Sequence, residues 1–126
     1  MYDPNNIFAK ILRKEIPCEI VFENDHALAF EDLYPQRKVH ILVIPKGAYT
    51  DLDHFNEKAS DREISDLLRA ITMVSKMKGI SNSGNGYRVI SNIGKNGGQE
   101  IPHLHFHVFG GEPVGRMISK RSIEKN

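Results

Sequence analysis

Apolar residues follow a helical period in two segments of the chain. In the segment that begins at Asn6 and in the one that follows Ser60, they recur three or four residues apart, on one side of a helix. The two predicted apolar stripes are Ile7, Phe8, Ile11 and Leu12 in the first helix, and Ile64, Leu67, Leu68, Ile71 and Val74 in the second. The second helix begins with the capping-box sequence Ser60-Asp61-Arg62-Glu63, and Gly79 can terminate it.

Short apolar or alternating runs predict five strands, which span residues 19–23, 27–31, 39–44, 87–91 and 103–109. Asn24-Asp25 supplies turn residues between the first two strands, which predicts a hairpin. The third run is apolar almost throughout, which is typical of a strand buried on both faces. A glycine-rich loop spans residues 94–98. Because strands and helices do not alternate as βαβ units, the pattern predicts an α+β domain with a five-stranded, mostly antiparallel sheet and two helices.

The length and the end of the chain indicate one domain followed by a tail. The 126 residues suffice for one hydrophobic core, and they contain no internal repeat and no linker between domains. The periodic pattern stops at Gly110-Gly111, and residues 112–126 contain four basic and two acidic residues without periodicity. We therefore predict a domain over residues 1–111 and a variable, partly disordered C-terminal tail over residues 112–126.

Composition and charge exclude several classes of protein. With 17 basic and 16 acidic residues, the formal net charge is +1, and the chain has no basic tract for nucleic acid. No apolar run approaches the roughly 20 residues that span a bilayer, and Met1-Tyr2-Asp3-Pro4 does not resemble a signal peptide. The single cysteine, Cys18, cannot form an internal disulfide, which is typical of the reducing cytoplasm. We expect a cytoplasmic protein that binds neither nucleic acid nor membranes.

The histidines are the unusual feature of the composition, because three of the six fall within five consecutive positions. In a strand over residues 103–109, His103, His105 and His107 share one face, and the apolar residues between them face the core. The row of histidines is roughly 13 Å long. Three interpretations are open: a polar strand surface exposed to solvent, a metal site that combines two of these histidines with ligands from elsewhere, and a nucleophilic imidazole that acts on phosphorus.

The run His103-Leu104-His105-Phe106-His107-Val108-Phe109 resembles the His-φ-His-φ-His-φ-φ signature of the histidine triad family, in particular its nucleotide-binding branch. The resemblance covers residues 5–111 approximately. Its other motifs are, in chain order, Asn6-Ile7-Phe8-Ala9-Lys10-Ile11, Glu15-Ile16-Pro17, Phe30-Glu31-Asp32, Pro35-Gln36, His40-Ile41-Leu42-Val43-Ile44-Pro45-Lys46, Asn92 and Gly97-Gly98-Gln99. In this order and spacing, the motifs are specific for the family.

The resemblance implies a role for each histidine. His105 would be the nucleophile that attacks phosphorus, and His107 would donate a hydrogen bond to the phosphate oxygens. His103 and His40 would support the active imidazole and fix its tautomer. Without the family pattern, the simpler interpretation of His40 is a buried histidine with a satisfied ring at the start of a strand.

The resemblance also implies the contacts to a nucleotide. Asp32 would bind the ribose hydroxyls, because a carboxylate can accept hydrogen bonds from both. The base would lie in an apolar pocket formed by Ile7, Phe8, Ile11 and Phe30. The phosphate would be bound by Asn92, Gln99 and the backbone amides around Gly97 and Gly98. Considered without the family, Asp32 is an ordinary turn residue, the apolar residues are core, and the glycine-rich loop is a flexible turn.

The family implies a purine nucleotide phosphoramidase-like hydrolase, which releases AMP or GMP from amine- or acyl-linked nucleotides through a nucleotidyl-histidine intermediate. It further implies that catalysis needs no metal and no other cofactor, and that two chains form a homodimer in which their five-stranded sheets join. A dinucleoside polyphosphate hydrolase of the same superfamily is an alternative, as are a metal-binding protein and a nucleotide-binding protein with vestigial catalysis. A nucleotidyl transferase is disfavoured, since such proteins typically have glutamine where His107 stands.

Two departures from the family pattern affect the site. Glu100 stands where many members have a hydroxyl residue, and a carboxylate there either repels a bound phosphate or, if its pKa is raised, donates a proton. Another branch of the superfamily has a Cys-x-x-Cys pair for structural zinc at the positions of Asn6 and Ala9, so we do not expect that zinc site. The sequence indicates no role for His26 and His54.

Overall fold

Five strands form a single antiparallel sheet in the computed structural model, which describes residues 1–119. The strands are β1 (Ile20–Glu23), β2 (Ala27–Glu31), β3 (Val39–Pro45), β4 (Arg88–Ile90) and β5 (Phe106–Gly110). They lie in the order β1-β2-β3-β5-β4, and each neighbouring pair is antiparallel. The helices in the described residues are α1 (Ile7–Leu12), α2 (Leu52–Lys58), α3 (Asp61–Met77) and α4 (Gly94–Gly97). The predicted α+β class and five-stranded antiparallel sheet are confirmed.

Both predicted helices begin after a residue whose side chain caps them. At the start of α1, the Asn6 side chain accepts a hydrogen bond from the Ala9 amide at 2.9 Å. At the start of α3, Ser60 and Glu63 form the reciprocal capping box. Leu68 departs from the predicted apolar stripe of α3, because it is 56% exposed. Successive residues point about 100° apart around a helix, so Leu67 faces the sheet and Leu68 points away from it.

The structure contains two helices that the hydrophobic pattern does not predict. In α2 only Phe55 is buried, so the seven residues show no apolar stripe, although Asp51 caps the helix by accepting from the His54 amide at 2.9 Å. Helix α4 is a single turn within the glycine-rich loop and has no buried residue and no side-chain cap. The described residues therefore contain four α-helices rather than the predicted two, and a short 3-10 helix over Asn82–Gly84. Short helices leave little trace in the hydrophobic pattern.

The strand that carries the histidines begins later than predicted. Strand β5 begins at Phe106, and residues 101–103 form a bend that two irregular residues join to the strand. In this bend the His103 amide donates to the Ile101 carbonyl at 2.9 Å, and the Leu104 amide donates to the Tyr49 carbonyl at 2.8 Å. These backbone groups bond outside the sheet, so strict alternation of side chains applies only within β5. The apolar residues between the histidines still lie in or against the core, as predicted.

Hydrophobic layers cover both faces of the sheet, and β3 contributes to both, as predicted. Ile41 and Val43 belong to the core beneath α3, whereas Leu42 and Ile44 belong to the core beneath α1. Helix α3 has 17 residues but α1 has only 6. Because the short α1 covers only part of its face, that face has room for a pocket. The register of β3 and β5 places His107 opposite Leu42, which puts the imidazole on the α1 face.

The first residues of the predicted tail contact the domain. The Glu112 carboxylate accepts from the Lys38 amide at 2.7 Å. The Arg88 guanidinium donates to the carbonyls of Val114, at 3.5 Å, and Gly115. Residues 120–126 of the tail lie outside the described residues, so the domain boundary and the partly disordered tail stay predictions. Within residues 1–119, no helix is long and apolar enough to cross a membrane.

Candidate active site

The pairing of β3 with β5 joins two histidines in a directed chain of hydrogen bonds. The Gln36 amide donates to His40 Nδ1 at 3.1 Å, and His40 Nε2 lies 2.9 Å from His107 Nδ1. Because a backbone amide only donates, His40 Nδ1 accepts and the proton of the neutral ring is on Nε2. His40 then donates to His107 Nδ1. The proton of the neutral His107 ring is therefore on Nε2, which makes that atom a hydrogen-bond donor.

His105 has the opposite arrangement of its two nitrogens. Its Nδ1 lies 2.7 Å from the His103 carbonyl oxygen, and because a carbonyl only accepts, Nδ1 carries the proton. The other nitrogen, Nε2, holds a lone pair and has no hydrogen-bond partner within residues 1–119. The ring packs edge-on against Phe8, with centroids 4.9 Å apart, and lies 5.2 Å from the His107 ring. A lone pair and an N–H donor thus belong to neighbouring rings.

His103 is fully buried and does not reach the pocket. Its Nε2 donates to the Pro45 carbonyl at 2.9 Å, and the Tyr2 hydroxyl lies 2.6 Å from its Nδ1. The carbonyl requires a proton on Nε2, so Nδ1 of the neutral ring accepts a hydrogen bond from the Tyr2 hydroxyl. Both ring nitrogens of His103 are therefore satisfied.

The structure corrects the expected support of the nucleophile by two imidazole rings. The His103 backbone carbonyl, and not the His103 ring, bonds to His105. His40 bonds to His107 instead of to His105. The physical reasons are the bend before β5, after which the His103 ring lies against the Pro45 carbonyl, and the register, which sets His40 beside His107.

Burial keeps all four imidazoles neutral near pH 7. It is the largest cause of the lowered pKa of each of these rings. It lowers the pKa of His103 to about 4. The pKa of His107 is lowered to about 4 by burial and, to a smaller extent, by the neighbouring His105 and His40. Burial also lowers the pKa of His105 and of His40, although the Asp32 carboxylate opposes this shift in both. The tautomers above therefore apply to the neutral rings that are present at physiological pH.

A pocket of about 490 Å³ opens beside these rings on the α1 face. The four apolar residues predicted for the base line it, and so do His105, His107, Asp32, Asn92 and Gly98. His40, His103 and Gln99 do not line it. His40 lies behind the His107 ring, and His103 lies behind the His105 ring. The lining includes three acidic residues, Glu31, Asp32 and Glu100, and, within residues 1–119, neither lysine nor arginine.

Gln99 holds the glycine-rich loop instead of facing the pocket. Its side-chain nitrogen donates to the Thr50 carbonyl at 2.7 Å and to the Ile101 carbonyl at 3.1 Å, which uses both N–H groups. Its side-chain oxygen accepts from the Gly94 amide at 3.4 Å. The structure therefore does not support the predicted direct contact of the Gln99 side chain with phosphate, because the protein's own carbonyls occupy its donors.

Asp32, His40 and His107 bring potential metal-ligand atoms within 4.8 Å of one another. The hydrogen bonds nevertheless oppose a metal ion at this place. His40 Nε2 and His107 Nδ1 are already bonded to each other, and the His40 Nδ1 lone pair accepts from the Gln36 amide. An ion would have to displace these bonds. The geometry therefore favours the chain of hydrogen bonds over the metal interpretation of these histidines.

Two residues that contribute to the site were given no role by the sequence. The Gln36 amide sets the tautomer of His40, and the Tyr2 hydroxyl bonds to His103. Gln36 belongs to a quoted family motif, which could have indicated a function. Tyr2 lies before the first predicted helix and 101 residues from His103, so no local pattern could have linked the two.

Comparisons with known proteins identify the family of this chain. The HIT domain family matches residues 13–114. An uncharacterised 13.2 kDa HIT-like protein of Azospirillum brasilense is 55% identical over 119 residues, which cover 94% of this chain and 96% of that protein. The purine nucleoside phosphoramidase of Escherichia coli is 38% identical over 120 residues, which cover 93% of this chain and 96% of that enzyme.

Solved structures share the fold as well. A histidine triad protein from Clostridium difficile is similar with a TM-score of 0.79 and 39% identity, over 94% of this chain and 100% of that one. A HIT family hydrolase from Legionella pneumophila is similar with a TM-score of 0.80 and 34% identity, over 90% of this chain and 98% of that one. This chain therefore belongs to the HIT domain family, the histidine triad family that its sequence resembles.

Proposed function

We propose that this chain is a purine nucleotide phosphoramidase-like hydrolase, which releases AMP or GMP from an amine or acyl group linked to the α-phosphate. The observation that carries the proposal is the pairing of two neutral imidazoles at the pocket. His105 offers a lone pair on Nε2, and His107 offers a proton on Nε2. Attack on phosphorus by an imidazole requires such a nucleophile with a donor beside it. The name of the Escherichia coli relative, purine nucleoside phosphoramidase, supports the same reaction.

In the first step, His105 Nε2 forms a bond to the α-phosphorus while the bond from phosphorus to the amine nitrogen breaks. The nitrogen leaves with the bonding electrons and takes a proton from solvent, so a neutral amine is released. The His107 Nε2–H donates a hydrogen bond to a phosphate oxygen as negative charge builds there. His105 becomes a nucleotidyl-imidazolium, whose Nδ1–H remains bonded to the His103 carbonyl. This charge-assisted hydrogen bond stabilises the intermediate.

In the second step, water attacks the phosphorus and the bond to His105 Nε2 breaks. His105 leaves as a neutral imidazole, and the attacking water loses one proton to solvent. The product is AMP or GMP, and both histidines are again in their starting states. One difficult hydrolysis is thereby divided into two easier displacements.

The remaining pocket residues fit the nucleotide in this proposal. The apolar side chains beneath α1 would hold the base, since ligand pockets are mostly apolar. Asp32 would bind the ribose, with Oδ1 already held by the Tyr34 amide at 2.8 Å. Asn92 and the backbone at Gly98 would bind the phosphate. We also propose that the enzyme works as a homodimer in the cytoplasm and that its catalysis needs no cofactor, as the family resemblance implies.

The charges of the pocket favour a phosphoramidate over the alternative, a dinucleoside polyphosphate. Glu31 pairs with Lys78 at 2.5 Å, and Asp32 lies 3.4 Å from His40. Glu100 has no ionic partner within residues 1–119. The α-phosphate of a phosphoramidate carries about one negative charge, whereas a polyphosphate carries several, so carboxylates without compensating cations disfavour the polyphosphate.

Turnover of adenosine 5′-phosphoramidate by the purified protein tests this function. We expect release of AMP, and we expect His105→Ala to abolish it while circular dichroism shows an unchanged fold. His26→Ala is the matched control, because His26 pairs with Asp66 at 2.7 Å and does not line the pocket. Retained activity in His105→Ala would contradict the nucleophile assignment. Faster turnover of diadenosine triphosphate than of the phosphoramidate would favour the alternative hydrolase.

A further inference from the structure

The N-terminal segment before α1 is held in place by hydrogen bonds to the start of that helix. The Asn6 side-chain nitrogen donates to the Asp3 carbonyl at 2.7 Å, and the Asn5 amide donates to the Asp3 carboxylate at 2.9 Å. The Arg13 guanidinium donates to the Pro4 carbonyl at 2.9 Å. The segment thus has a defined path, and this path brings Tyr2 to His103.

Tyr2 contacts His103 through both its ring and its hydroxyl. The two ring centroids are 5.6 Å apart and meet edge to face. The hydroxyl oxygen lies 2.6 Å from His103 Nδ1, the atom that the Pro45 carbonyl on the other side of the ring leaves as the acceptor. His103 is completely buried, so the Tyr2 hydroxyl satisfies an acceptor that solvent does not reach.

His103 in turn holds the nucleophile of the proposed reaction. Its carbonyl oxygen accepts from His105 Nδ1 at 2.7 Å, which leaves the lone pair on the nitrogen that faces the pocket. A ring that is bonded at both nitrogens fixes the side-chain torsions of His103, and these torsions are anchored to the same backbone that carries the carbonyl. Tyr2 itself does not line the pocket. Any effect of Tyr2 on the reaction therefore has to pass through His103.

We propose that Tyr2 is a positioning residue of this enzyme: its hydroxyl fixes the tautomer and orientation of His103, and thereby the carbonyl that orients the His105 nucleophile. The proposal rests on the proposed hydrolase function for its effect on rate, but the hydrogen bond between Tyr2 and His103 exists independently of any substrate. Removal of the hydroxyl leaves His103 Nδ1 buried without a donor, which is the costly way to lose a hydrogen bond. The ring then gains the freedom to reorient.

The test compares Tyr2→Phe with wild type and with the control Tyr87→Phe in the full chain. Both variants lose one phenolic hydroxyl, but Tyr87 packs against the core away from the pocket, and its hydroxyl has no hydrogen-bond partner within residues 1–119. For adenosine 5′-phosphoramidate, we expect kcat of Tyr2→Phe to fall about tenfold with KM unchanged, because the nucleophile is affected and the binding pocket is not. Tyr87→Phe should retain the wild-type kcat and KM.

Nitrogen-15 NMR of the histidine rings supplies a readout that does not depend on turnover. In Tyr2→Phe, we expect the His103 Nδ1 signal to move toward that of a free acceptor and the His105 signals to shift, whereas Tyr87→Phe leaves them in place. Unchanged imidazole signals together with an unchanged kcat would overturn the proposal, and so would a raised KM at constant kcat. If the wild type does not turn over the phosphoramidate, the proposed function fails, and the NMR comparison alone decides the role of Tyr2.

Discussion

Three of the four imidazoles of the site have one nitrogen whose state is dictated by a backbone group, which does not titrate. A backbone amide fixes His40, and backbone carbonyls fix His103 and His105. His107 takes its tautomer from His40. Since one partner decides both nitrogens of a neutral ring, these bonds assign a lone pair to His105 and a donor to His107.

The lowered pKa of His105 predicts the pH dependence of catalysis. A free imidazole has a pKa near 6.5 and loses its nucleophilic lone pair below it. Burial lowers the pKa of His105, so the neutral nucleophile persists at lower pH than in a free imidazole. In a steady-state pH profile for adenosine 5′-phosphoramidate, we expect kcat/KM to decrease on the acid side and to reach half its maximum at a pH below 6.5. A half-maximal rate at or above pH 6.5 would show that the nucleophile is not desolvated in this way.

We expect the Glu100 carboxylate to weaken the affinity of the pocket for the product AMP. This exposed carboxylate lines the pocket that would hold the phosphate of AMP. We expect Glu100→Gln to lower the inhibition constant of AMP about threefold at low salt, in line with the modest worth of exposed charges. High salt should reduce the difference by screening. Glu57→Gln on α2 removes the same charge away from the pocket and should leave the constant unchanged. A higher constant in Glu100→Gln would show that this carboxylate assists phosphate binding.

At the level of secondary-structure elements, the turn α4 and the residues after it depend on one amide side chain. Gln99 joins the loop to Thr50 at the start of the α2 segment and to Ile101 at the bend before β5. The glycine-rich loop was predictable from its composition, but its anchor was not. The reason is that Thr50 is 49 residues from Gln99 in the sequence.

Gln99→Glu tests this anchor. The substitution keeps the size of the side chain but sets a carboxylate against two carbonyl oxygens that need donors. We expect the free energy of unfolding, measured by urea denaturation, to fall by about 1–3 kcal/mol. Asn96→Asp in α4 makes the same chemical change at an exposed position and should have little effect. If Gln99 instead served only to bind phosphate, stability would stay the same and KM alone would rise.

The strand boundaries show why the histidine row could be predicted only in part. Alternation correctly placed the apolar neighbours of the histidines in the core. It placed His103 on the same open face as His107, whereas the bend over residues 101–103 directs the His103 ring to the Pro45 carbonyl. Bends of this kind are set by partners elsewhere, here by the Tyr49 carbonyl, which accepts from the Leu104 amide. The period of a sequence does not contain such partners.

At the scale of the whole molecule, unequal helices cover the two faces of the sheet to different extents, and the site lies on the less covered face. The long α3 covers its face, and the short α1 leaves the pocket beside the histidines open. The sheet ends at β1 and β4 with exposed apolar residues, Ile20 at 53% and Val89 at 40%. An open strand edge is a template for pairing with another chain.

The proposed homodimer can be tested by its mass and by substitutions at the two edge strands. In sedimentation equilibrium, we expect twice the mass of one chain. If the sheets join edge to edge, a lysine at the joined edge should disrupt the pairing of the two chains. Val89→Lys and Ile20→Lys alter opposite edges, so only one of these variants should show the mass of a single chain. A single-chain mass for the wild type would contradict the dimer.

The α+β class, the two amphipathic helices, the buried third strand and the family were predictable from the sequence, because period, caps and motif order are local properties. The sequence also brought His105, His107, Asp32, Asn92, Gly98 and the four apolar pocket residues forward as candidates, and the structure brings all of these together around one pocket. The proton positions on the histidine rings, the anchoring of a loop by Gln99 and the contact of Tyr2 with His103 became visible only in the folded chain. The bonds of His107 to His40, of His103 to Pro45 and of Gln99 to Thr50 join residues 67, 58 and 49 positions apart. The short-range bonds of His40 and His105 need a backbone path that the hydrophobic period does not contain.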